Sequence, residues 1–127
     1  LGSVTSVRNL FPQNDVSDVI RGSLSLGGLL QSKGYKSVPS PAFPNPGKTP
    51  DNYYSGGYTT EVHGSLNGGL IDAIQLEAHE SVRKDAQNRT NFSLAFAQSF
   101  VQFFQHHYRV HLNRKKKFFL FLFFLFF

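Results

Sequence analysis

The clearest periodicity in the chain runs from Phe92 to Tyr108. Phe92, Phe96, Phe100 and Phe103 recur with Ala97, Val101, Phe104 and Tyr108 at i, i+3 and i+4 spacing. On a wheel of about 100° per residue these fill one half, and Gln98, Ser99, Gln102, Gln105 and His106 fill the other. The spacing predicts an amphipathic helix covering a hydrophobic layer, with Thr90 or Asn91 as its cap. Shorter patterns precede it. Val19 and Ile20 read as the end of a strand. Ser23 reads as the cap of a helix built on Leu26, Leu29 and Leu30, which Gly34 stops, and "YKSV" reads as the next strand. Residues 39–52 hold five prolines and read as a loop or extended arm. Tyr58–His63 and Leu70–Glu77 alternate as strands do. Between them lies "GSLNGG", whose Asn67-Gly68 suits a hairpin turn, with parallel placement left open. Strands interleaved with helices predict an α/β layer.

Composition narrows the function classes. The 127 residues suffice for one domain of ordinary size and contain no Cys, which excludes disulfides and thiolate metal sites. There is no Met, and the chain begins at Leu1. The formal charge of +5 comes mostly from Arg114-Lys115-Lys116-Lys117, and the remainder is near neutral. No basic patch interleaved with aromatics appears, so nucleic acid is not an expected partner. Residues 118–127 read "FFLFLFFLFF". Ten apolar residues are too few for a bilayer span, which takes roughly 20. Arg and Lys codons can be all purine, and Phe and Leu codons all pyrimidine. The run is therefore expected to be translated noncoding or frame-shifted sequence, dividing the chain into a folded part, 1–113, and a low-complexity tail, 114–127. The functional alternative is a membrane-dipping anchor next to four basic residues; no other membrane contact is expected.

Candidate chemistry concentrates in "LIDAIQLE". On a strand Gln75 and Glu77 share a face at the carboxyl end, where ligand crevices lie in open α/β sheets. A carboxylate shielded there by an apolar sheet is suited to proton transfer. The structural alternative is a Glu that caps or ion-pairs the next segment, through Arg83 or Lys84. His63 stands just before Gly64-Ser65, but no metal-ligand spacing such as HExxH accompanies it, and no nucleophile elbow or phosphate loop is present. His106, His107 and His111 read as solvated surface. Asn88-Arg89-Thr90 and Asn91-Phe92-Ser93 fit the glycosylation sequon, a pattern of loose content.

Three stretches carry a family resemblance: "IRGSLSLGGLLQSKGYKSVPSPAFPNP", "YYSGGYTTEVHGSLNGGLIDAIQLE" and "SVRKDAQNR" followed by the Phe/Ala-rich helix. Together they resemble the N-formylglutamate amidohydrolase-like family, from about Ser6 to Tyr108. The resemblance implies a zinc carboxypeptidase-like α/β fold, a mixed sheet flanked by helices with one catalytic zinc, and cleavage of an amide in an acylated amino acid by a metal-bound water. It implies that Glu77 is the general base and acid, and that Arg21 and His63, which match polar positions of the family pattern, make substrate or oxyanion contacts; Gln75, on the same strand face as Glu77, is expected to contact the small-molecule amide substrate. Where the family often has an Arg before the "HGS" histidine, this chain has Val62. The family's zinc ligands sit upstream of these motifs, and no His precedes His63. The chain is therefore expected to correspond to the carboxyl-terminal portion of such an enzyme, to bind no zinc itself and to be inactive as it stands. The alternatives are a non-catalytic binding module and a gene-model artefact. Compartment and oligomeric state are not legible in the sequence.

Overall fold

The computed structural model describes residues 10, 13–47, 57–65 and 70–110. Five helices follow in order: α1, Val16–Arg21; α2, Leu26–Ser32; α3, Tyr58–His63; α4, Glu80–Lys84; and α5, Ala86–His107. Among the described residues there is no strand, so the mixed α/β sheet expected from the sequence, and with it the zinc carboxypeptidase-like layering, is not what these segments form.

The corrections are local. Val19 and Ile20 do not end a strand; they are the buried face of α1, which Asp15 caps by accepting from the Ser17 N–H at 2.6 Å. The cap of α2 is Ser25 and not Ser23. Its hydroxyl, 1 % exposed, accepts from the Gly28 N–H at 3.0 Å. The end of α2 is as the sequence suggests. Gly34 takes φ +88°, and the Tyr35 N–H bonds to the Leu30 carbonyl at 3.1 Å, the Schellman closure for which glycine is suited. "YKSV" then runs without a ladder. The close approach of Gly27 to this coil explains why α2 carries glycine there: a Cβ would collide with the Pro39 carbonyl.

Tyr58–His63 is helical despite its alternating pattern. Thr60 supplies the reason: its hydroxyl accepts from the Gly57 N–H at 3.2 Å and donates to the Gly57 carbonyl at 2.8 Å, closing the first turn locally. Leu70–Glu77 forms no regular structure, and Leu70 and Ile71 are 90 % and 63 % exposed. The turn at Asn67-Gly68 and the tail at 114–127 lie outside the described residues.

The long helix is where the periodicity placed it, but it begins earlier. Asp85 caps it by accepting from the Asn88 N–H at 2.7 Å, and the same residue ends α4. Phe92, Phe96, Phe100, Phe104 and Tyr108 then form an i, i+4 ladder of rings with centroid separations of 6.1, 5.9, 4.6 and 4.5 Å. The buried face comprises Ala95, Phe96, Ser99, Phe103 and His107. Ser99 and His107 are thus interior, not solvated as their polarity suggested, and Ala97 and Val101 are exposed. α5 packs against α2 and α4, and α1 against α2. Leu10, Val19, Leu29 and Phe103 form the core, with Leu26, Ile74, Phe104 and Tyr108 packed on it.

Candidate functional site

A groove of about 1100 Å³ opens between α2, the coil that follows it, the 74–79 segment and the start of α5. Its polar side chains include Lys36, Gln75, Glu77, His79 and Asn88. Gln75 and Glu77 do come together, although not as strand neighbours. The Gln75 Nε2 donates to the Glu77 Oε1 at 2.6 Å. Gly57, at the start of α3, presses against the other end of that amide, and a Cβ there would stand 2.5 Å from the Gln75 Oε1. Glycine at 57 therefore lets α3 approach, and the approach limits where the Gln75 amide can go.

Glu77 itself is exposed, so the apolar shielding expected of a strand-end carboxylate is not there. It is not spent on the ion pair foreseen as its structural alternative either, since Lys84 pairs with Glu80 at 2.9 Å on the surface of α4. His79 lies two residues on, and its Nδ1 accepts from the Ser81 N–H at 3.2 Å as the cap of α4. Lys36 holds its ammonium 4.6 Å from the Phe43 ring centroid, a cation–π contact.

The other two sequence candidates are elsewhere. Arg21 ends α1 and is half-buried; His63 ends α3 and is exposed; neither lines the groove. Lys36, which the sequence did not single out, does line it, as do His79, a potential ligand without metal-ligand spacing, and Asn88, marked in the sequence only by its sequon. The only sequence signal for Lys36 is proximity to a Pro-rich turn, which many surface residues share.

A second polar cluster lies at the far end of α5. Asp72 accepts from the Ser65 hydroxyl at 2.7 Å through Oδ1 and from the Tyr108 hydroxyl at 2.7 Å through Oδ2. Burial, then the hydrogen bond and charge of Asp72, hold the Tyr108 phenol well above its ordinary range, so it remains a donor. This cluster joins three segments and has a structural character.

Among the described residues no group of three or more His, Asp or Glu side chains stands close enough to share a metal ion. The described residues thus do not fit a zinc centre. No described helix is long and apolar enough to cross a membrane. Comparison with family models, with curated proteins and with solved structures finds no match to this chain. The amidohydrolase resemblance thus rests on the motifs quoted above.

Proposed function

We propose that the groove binds a small molecule carrying an amide, of the acylated amino acid class, and that these residues supply binding and not turnover. The observation that supports this reading is the Gln75–Glu77 pair at the groove, joined at 2.6 Å. The Gln75 amide orients the carboxylate. An ionised carboxylate has about four acceptor positions, so the pairing leaves capacity for a ligand N–H. Lys36 brings the opposite charge to the same groove and suits the ligand's carboxylate. Glu77 is also the residue that the family resemblance makes a general base. Among the described residues, however, no group of three or more His, Asp or Glu side chains stands with it that could hold a metal ion.

Calorimetric or NMR titration of the full chain with N-acetylglutamate tests the reading. Binding is expected, and Glu77→Ala should weaken it about tenfold, the loss of one charge-assisted hydrogen bond worth roughly 1.5 kcal/mol. An N-methyl analogue, which lacks the N–H, should show a similar loss. Unchanged affinity in both Glu77→Ala and Gln75→Ala would sink the proposal. Release of free glutamate that disappears in Glu77→Gln would instead favour the hydrolase.

A further inference from the structure

We infer that the ligand of this groove carries an aliphatic acyl chain of several carbons, a deduction that rests on the amide-binding reading above. Size is the first reason. The groove, at about 1100 Å³, lies just above the roughly 300–1,000 Å³ typical of pockets for drug-sized ligands. A formyl or acetyl amino acid occupies only a small part of such a space. The lining is the second reason. Leu26, Val38, Ile74, Leu76, Val82 and Phe92 all line the groove and are all half-buried. They come from α2, the coil after it, the 74–79 segment, α4 and α5, so the apolar surface is assembled from separate parts of the chain. Each leaves apolar area facing one concavity, area that a ligand's methylenes take out of water. The third reason is where the charge sits. Lys36, Glu77 and His79 are exposed, whereas the apolar set is half-buried. A polar head with charges of both signs nearby, above a deeper apolar lining, matches an amphipathic molecule: amide and carboxylate towards the charged side chains, acyl chain along the aliphatic ones.

The experiment is a chain-length series. N-acetyl-, N-butanoyl-, N-hexanoyl- and N-octanoylglutamate are titrated into the full chain below their micelle concentrations. Affinity should rise roughly fourfold for each added pair of methylenes, half of the full-burial value of about 0.8 kcal/mol per methylene because the groove is open. Ile74→Ser, in the groove, should flatten that rise to about twofold; Val82→Ser serves the same purpose if the first variant does not fold. Ile71→Ser, whose side chain is exposed and outside the groove, should leave it unchanged. Equal affinity for the acetyl and octanoyl compounds overturns the inference and leaves the amide reading standing. No binding of any member overturns both. A rise that persists in Ile74→Ser and Val82→Ser, or vanishes in Ile71→Ser, puts the acyl chain elsewhere and overturns the inference.

Discussion

His107 is 4 % exposed, at the C-terminal end of α5. Its Nε2 lies 3.1 Å from the Leu24 carbonyl and is therefore the protonated nitrogen of the neutral ring. The Nδ1 is buried and has no partner among the described residues. Burial lowers the His107 pKa below 6.5; the nearby His106 and Arg109 act in the same direction, and the bond to Leu24 and the charge of Asp18 act against it. The folded chain thus holds fewer protons at this site than the unfolded chain does. Its contribution to stability is complete above the unfolded value and is lost as pH falls below about 6.5. Urea midpoints at pH 7.5 and 5.5 should therefore show acid destabilisation in the native chain. His107→Phe, which keeps a ring against Phe103, should show a smaller acid loss from a lower starting stability. Equal pH dependence in the two proteins would exclude His107 as the source. In the sequence His107 is one of a surface-like trio of histidines, and polarity alone pointed outward. The aromatic spacing marked the helix but not which of its faces would meet α2 and the 24–25 turn.

At the scale of elements, α5 was legible and its neighbours were not. Five aromatic rings at i, i+4 spacing leave little choice of period. The start was missed because Ala86–Asn91 is exposed and carries no apolar rhythm, so the Asp85 cap has no pattern to announce it. Tyr58–His63 and Leu70–Glu77 are short enough for either reading, and local closure by Thr60 decided the first. The second is held by a side-chain tie. Asp72 accepts from both Ser65 and Tyr108, linking the end of α3, the 70–79 segment and the end of α5. Asp72→Ala should cost about 1.5–3 kcal/mol, the range for hydrogen bonds to a charged group. Hydrogen exchange should speed up in the α3 amides while the middle of α5 keeps its protection. Unaltered exchange across α3 would mean that it is anchored by other contacts.

At the scale of the molecule, the residues that make the core are few among those described. Phe103 is 1 % exposed and touches the groove as well as Leu10, Val19 and Leu29. Phe103→Ala should cost about 3–5 kcal/mol, a large share of the stability of any small domain. Val101→Ala, two residues away on the exposed side, should cost little. Thermal melts followed by far-UV circular dichroism would check both, and a strong sheet signal in the native spectrum would contradict the helical architecture. The candidate site was legible in one respect, the pairing of Gln75 with Glu77, because i and i+2 side chains share a side in an extended stretch whether or not a sheet forms around it. Arg21 and His63 were grouped with them by family pattern; α1 lines the groove through Val19 and Ile20, but neither Arg21 nor His63 does. The packing order of the helices has a kinetic consequence. α4 and α5 meet through the single residue Asp85, so their contacts form at little cost in chain entropy. The α2–α5 contacts require closing all the chain from Ser32 to Ala86. That closure is where the folding barrier should lie. Loop entropy grows only logarithmically, about 0.6 kcal/mol per doubling of length. Extra residues inserted in the connector should therefore slow folding only a few-fold, whereas truncating Leu29 or Phe103 should slow it far more.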